Sequence, residues 1–235
     1  MHYQKFIHHQ KSSIITSIKE VIFGLEDGMV STLGAISGIA AGTHNQATVI
    51  LSGLVIIAVE SISMGVGIFL SDSSAKDIDD RKIKEEEFEI DNFLEQEKEE
   101  LKGFYEQDGW PEALAGQMSI VASQNKKLLL KEMATRELKI FNEPSQSLKK
   151  GLIMFASYVV GGLIPLLPYF FLPLPHATYL SVSLTLLGLF SLGLGVAKFS
   201  FNFWLKSALK MLILGGLALG VGLLMSQISL KFIPS

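Results

Sequence analysis

The sequence contains no cysteine. Disulfides, thiolate metal sites and cysteine nucleophiles are therefore excluded. Histidine is nearly as scarce, with none between His44 and His176. That gap removes the Glu-x-x-His ligand pairs on which di-iron carboxylate bundles depend, so a ferritin-type oxidation site is not expected. Acids stop at Glu143, and 19 of the 23 acids fall between Asp72 and Glu143. The net charge is −3, and no nucleic-acid partner is expected. The polar N-terminal stretch MHYQKFIHHQKSS has no short apolar run followed by a cleavage site. The first apolar segment is accordingly expected to stay in the mature chain.

What the chain has is apolar length. Hydrophobic residues make up 49% of the 235 positions, and the mean hydropathy is +0.38. That composition points to a membrane protein. Five segments approach the roughly 20 apolar residues that span a bilayer: about 15–41, 48–70, 151–172, 179–199 and 205–230. Lys and Arg concentrate in the N-terminal tail (Lys5, Lys11, Lys19), the middle segment, and the fourth connection (Lys198, Lys206, Lys210). The positive-inside rule then predicts a cytoplasmic N-terminus and a C-terminus on the opposite side.

The middle segment, residues 71–150, is a different material. It is acidic, rich in helix formers and free of proline up to Pro111. Its pattern predicts that the second span continues as a polar helix to about residue 91. Further helices are predicted at about 93–106, 111–122 and 125–141, the last ended by Asn142, Glu143 and Pro144. The fold class read from this pattern is an all-α membrane protein. It has five transmembrane helices and a cytosolic helical metal-binding domain inserted between helices two and three. Residues 1–70 form the tail and two spans, 71–150 the acidic domain, and 151–235 three spans.

Glu26 and Asp27 lie inside the first span and Glu60 inside the second. A charge at the centre of a spanning helix costs about 2.5–3.5 kcal/mol on insertion scales. Beyond Lys19 at the start of the first, neither span holds a Lys or Arg, so a proton or a metal cation is expected to supply the positive charge. Met64 follows Glu60 by four residues and shares its helix face. A thioether beside carboxylate oxygens shifts preference from Mg²⁺ and Ca²⁺ toward later transition metals. Asp27, Glu60 and Met64 are the candidate translocation residues, with Glu26 to one side. Gly24, Gly28, Gly34 and Gly38 give the first span small faces suited to close helix approach. These faces suggest a homodimer through that helix. Pro165 and Pro168 interrupt the third span, as a hinge or as a static kink.

In the acidic segment, Glu86 and Glu89 are three residues apart, as are Glu97 and Glu100. Each pair falls on one helix face. With Glu137, and with Met133 one turn before it, they can form an oxygen-rich cation site. The same spacing fits solvated helix faces carrying Glu–Lys pairs such as Glu95–Lys98 and Glu99–Lys102.

Three motifs in order, GLEDGMVSTLGAISGIA, ESISMGVGIFLS and SYVVGGLIPLLPYFF, resemble the vacuolar iron transporter family, and the likeness covers nearly the whole chain. The resemblance implies export of Fe²⁺, and of Mn²⁺ as well, from the cytosol in exchange for protons. It implies a homodimer with Asp27 and Met64 on the path at its interface. It also implies cytosolic metal ligands at Glu86, Glu89, Glu97, Glu100, Met133 and Glu137. No prosthetic group and no enzymatic step are implied. The membrane would be the plasma membrane in a prokaryote and the vacuolar membrane in a eukaryote. Two positions depart from the family pattern. Ile56 stands where members carry the second-span acid, which here is Glu60, one turn nearer Met64. Ala134 stands where a second methionine often follows Met133. Two other functions fit parts of the sequence: a membrane-anchored metal-binding or sensing protein, and a Mg²⁺ or Ca²⁺ channel without proton coupling.

Overall fold

A computed structural model describes residues 13–141, 146–200 and 203–232. Among them the chain is helical, with no strand. The helices are α1 (Ser13–Thr43), α2 (Gln46–Asn92), α3 (Leu94–Gln107), α4 (Glu112–Ser123), α5 (Lys126–Arg136), α6 (Ser147–Leu166), α7 (Pro168–Phe171), α8 (His176–Ser200) and α9 (Trp204–Phe232). Lys5, Lys11, Asn142, Glu143 and Pro144 lie outside the described residues. Two compact units are present: Met1–Phe69 with Ser147–Ser235, and Leu70–Gln146.

Among the described residues, four helices are long and apolar enough to cross a membrane: α2, α6, α8 and α9. The protein is an all-α, multi-pass membrane protein. The first predicted span, in α1, is not among the four. At 31 residues α1 has ample length, but Lys19, Glu20, Glu26 and Asp27 dilute its apolar character. Helix α2 has 47 residues and is about 70 Å long at 1.5 Å per residue. The hydrocarbon layer is about 30 Å thick, so the charged half of α2 from Asp72 onward lies outside it.

In the first unit α1 is the central element and packs against α6, α8 and α9. Glycine makes two of these approaches possible. A side chain at Gly28 would run into the Tyr158 carbonyl of α6, and one at Gly38 into the Gly222 carbonyl of α9. Gly24 likewise faces Ser157, and Gly34 faces Ala218. The small faces of α1 expected to seat a second copy are thus in contact with α6 and α9 of the same chain. Their spacing is explained without a dimer. Helix α2 joins the unit where Gly65 meets Gly151 of α6. Ile36, Val49, Ile57, Leu166 and Tyr169 form a buried core shared by α1, α2, α6 and α7. Asn45 caps α2, its side-chain oxygen accepting the Thr48 N–H at 3.0 Å.

The third predicted span is broken in two. Pro165 is buried within α6, and Pro168 opens α7. Both prolines lack the N–H that would continue the ladder. The carbonyls around the break find other donors. Ser181 Oγ donates to the Pro165 oxygen at 2.6 Å, and Gln46 Nε2 donates to the oxygens of Tyr169 at 2.6 Å and Leu172 at 3.1 Å.

The second unit is built around a buried cluster of Ile90, Leu101, Tyr105, Ala115, Ala122, Leu129 and Met133. Helix α3 packs against α4 and α5, and α4 against α5. Asn125 caps α5 by accepting the N–H groups of Lys127 and Leu128. That helix ends at Arg136, five residues before the predicted residue 141. The Leu138 N–H turns back to Met133 O and the Ile140 N–H to Ala134 O, while Lys139 takes a left-handed φ of 56°. This fold-back satisfies carbonyls that a longer helix would have used.

Candidate functional site

Helix α2 carries Glu86 into the second unit, α3 carries Glu97, and Glu137 stands at the C-cap of α5. One carboxylate oxygen from each lies within 4.8 Å of the others. Glu86 is only 2% exposed and Glu97 6%, whereas Glu137 is exposed. Glu86 Oε1 and Glu97 Oε2 are buried without a hydrogen-bond partner. Burial, followed by the charges of Glu137 and Glu97, pushes the Glu86 carboxyl up to about 8. Burial also raises Glu97, with Glu100, Glu89 and Glu137 adding to the shift against an opposing hydrogen bond from Glu86. Glu100 is raised by desolvation and by Glu137 and Glu89. Charges from Glu89, Glu100 and Glu137 thus reach this cluster, and three of the five predicted glutamates converge to a spacing that one cation can bridge. Met133 is fully buried in the neighbouring core.

Four cations of this unit are engaged elsewhere. Lys98 pairs with Glu95, and Lys102 pairs with Glu99, Glu106 and Glu112. Lys126 pairs with Glu87 and Asp91, and Arg136 with Asp108 and Glu132. The predicted Glu95–Lys98 and Glu99–Lys102 pairs are thus solvated helix faces. None of the ion pairs among the described residues reaches Glu86, Glu97 or Glu137. Buried carboxylates with no basic partner are costly unless a proton or a metal ion neutralises them.

The first unit brings a second set together. Asp27 of α1 is partly buried, Glu60 of α2 is exposed, and Met64 is partly buried. The Glu60 charge acts on Asp27. Glu26, expected to lack a basic partner, lies within the field of Lys210 on α9. Lys210 sits far away in sequence, so only helix packing could reveal that influence. The two adjacent acids are thereby separated: Glu26 feels a cation, and the charge acting on Asp27 is that of an acid, Glu60.

Tyr158 of α6 was not among the predicted residues. It is fully buried, and its hydroxyl lies 2.6 Å from Ser31 Oγ. Ser31 stands four residues after Asp27, on the same face of α1. The charges of Asp27 and Glu60 both act on the Tyr158 hydroxyl. The local signal was a phenol following Ser157 in an otherwise apolar span, together with Gly28, which lets the α6 backbone come close. Neither feature tells from sequence which helix the hydroxyl meets.

These two constellations can bind cations through oxygen, with one thioether within the spans. The VIT family model matches residues 18–227. Vacuolar iron transporter 2 of Oryza sativa subsp. japonica is 32% identical over 203 residues, covering 86% of this chain and 82% of that protein. The vacuolar iron transporter of Toxoplasma gondii is 30% identical over 239 residues, covering 94% of this chain and 79% of its own length. That of Plasmodium falciparum is 31% identical over 213 residues, covering 86% and 78%. The acidic unit and the membrane helices both fall inside the matched stretch, and the chain belongs to the VIT family.

Proposed function

We propose that this protein carries Fe²⁺, and Mn²⁺ as well, out of the cytosol in exchange for protons. The observation that carries the reading is the convergence of Glu86, Glu97 and Glu137 within 4.8 Å, with no basic partner among the described residues. The names of the relatives bring iron as the cargo. In this reading residues 71–150 form a cytosolic domain, and α1 is a fifth span because its acids are neutralised by cargo, protons or Lys210.

The mechanism has three steps. The cytosolic glutamates, Glu89 and Glu100 included, collect the ion near the membrane, with Met133 as a soft neighbour. The ion then passes to Asp27, Glu60 and Met64, beside the Ser31–Tyr158 hydroxyl pair. Protons from the outer side convert those carboxylates into poor ligands and release it. Pro165 and Pro168 mark where the third span can bend, and Ser181 holds the bend in the present conformation.

A homodimer belongs to the same proposal, on a different ground from glycine spacing. Glu60 is exposed on the single chain, and a carboxylate facing lipid is unfavourable. A second copy laid over α1 and α2 removes it from lipid. The groove of about 870 Å³ between α1 and α9, lined by Val30, Ala35, Ile39 and Val221, offers further apolar surface to that copy.

Metal flux into liposomes, with and without a pH gradient, tests the reading. Gradient-driven Fe²⁺ or Mn²⁺ flux that Asp27→Ala abolishes is the expected result. Flux that ignores the gradient points to a channel. No flux at all, with metal binding retained, points to a tethered sensor.

A further inference from the structure

This inference rests on the reading of Glu86, Glu97 and Glu137 as a cation site. Glu137 is the member of that group least held by its surroundings. It is exposed and stands just past the last residue of α5. Carboxylates at this spacing repel one another wherever two of them carry charge with the cation absent. Repulsion drives the end of α5 away from α2 and α3, so some contact must hold it.

The residue next to Glu137 provides that contact. The Arg136 guanidinium pairs through Nη1 with Asp108, the C-cap of α3. Its Nε donates to Glu132 Oε2 at 3.0 Å. Its Cζ lies over the Tyr105 ring, 4.5 Å from the centroid. The Tyr105 hydroxyl donates to the same Glu132 oxygen at 3.2 Å. One planar cation therefore bridges the C-terminal ends of α3 and α5, the helices that bring Glu97 and Glu137. A guanidinium can fork between two carboxylates and stack on an aromatic ring at once, which an ammonium cannot. The Arg136 side chain is only 25% exposed, so the network is screened less than a surface pair.

We propose that Arg136 is a positioning residue for the cation site. With Asp108, Glu132 and Tyr105 it holds Glu137 in place beside Glu86 and Glu97. Arg136 does not touch the ion. Its charge is spent on Asp108 and Glu132, which leaves the site negative and open to cations.

The test is Mn²⁺ binding to the purified full-length chain in detergent, measured by calorimetry. Arg136→Gln should weaken binding about 10-fold or more, the scale for losing a partner that orients a metal ligand. Asp108→Asn, a gentler change at the exposed end of the bridge, should weaken it in the same direction. In a Glu137→Gln background, Arg136→Gln should add no further loss, because its effect runs through Glu137; a merely structural arginine would add one. Wild-type affinity in both Arg136→Gln and Asp108→Asn overturns the proposal, as does an undiminished Arg136→Gln effect in the Glu137→Gln background. Glu97→Gln separates this from the parent reading. If Glu97→Gln also binds Mn²⁺ normally, the cation site itself falls. If it alone loses binding, only the role of Arg136 falls.

Discussion

Metal binding at the Glu86 site should release a proton, and the size of the effect follows from the geometry. Glu86 is buried beside Glu97 and Glu137, and its carboxyl is pushed from 4.5 up to about 8. At a pH of about 7 such a group is protonated in about ten molecules of eleven. A bound cation needs the carboxylate, so binding expels that proton. Affinity for Mn²⁺ should therefore rise about 10-fold per pH unit below about 7, rise about 5-fold from there to about 8, and level off above. Calorimetry in buffers of different ionisation heat reads the proton count directly, with about 0.9 proton from Glu86 per ion at a pH of about 7. Glu86→Gln should weaken binding and remove most of that release. The same shift has a stability consequence. Between about 4.5 and 8 the folded metal-free protein keeps a proton that the unfolded chain has lost. Metal-free stability should accordingly fall as pH rises through that window, and Glu86→Gln should flatten the fall. Proton release near zero, together with an affinity that does not change between pH values of about 6 and 8, would refute the reasoning.

Other perturbations reach different parts of the molecule. Asp27→Asn keeps the size of the side chain but removes the titrating group, so gradient-driven flux in liposomes should fall at least about 10-fold, while Mn²⁺ binding at the Glu86 site is unchanged. Tyr158→Phe removes only the hydroxyl that meets Ser31; flux should drop and the Mn²⁺-to-Zn²⁺ flux ratio should fall, since an oxygen is lost and the Met64 sulfur stays. Gly28→Val drives a side chain into the Tyr158 carbonyl, and the overpacking should cost about 1–3 kcal/mol, read as a lower unfolding midpoint in detergent. Leu101→Ala empties part of the second unit's core, where Leu101 is fully buried, and should cost about 2–5 kcal/mol by the same measurement.

The sequence by itself determined much of the helical plan. Apolar runs mark α2, α6, α8 and α9 because an isolated span must be apolar over a bilayer's width. Helical spacing shows that Glu86 and Glu89, or Glu60 and Met64, share a face, because that relation is internal to one helix. The last helix of the acidic segment was placed from residue 125, where Asn125 caps α5 through local chemistry. The end of α5 was less legible, since a left-handed turn at Lys139 comes from carbonyl satisfaction and not from a breaker residue.

Relations between helices are what tertiary structure alone decided. Five glutamates had suitable spacing, but the rotation of α2, α3 and α5 about their axes selects Glu86, Glu97 and Glu137 as the three that converge. The glycines of α1 advertised close approach without saying to what, and packing assigns one face to α6 and the other to α9. Lys210 beside Glu26, Tyr158 beside Asp27, and Arg136 bridging α3 to α5 follow the same rule. Hydropathy and periodicity describe one helix at a time. A site made of side chains from several helices exists only once burial of their apolar faces has fixed how each is turned.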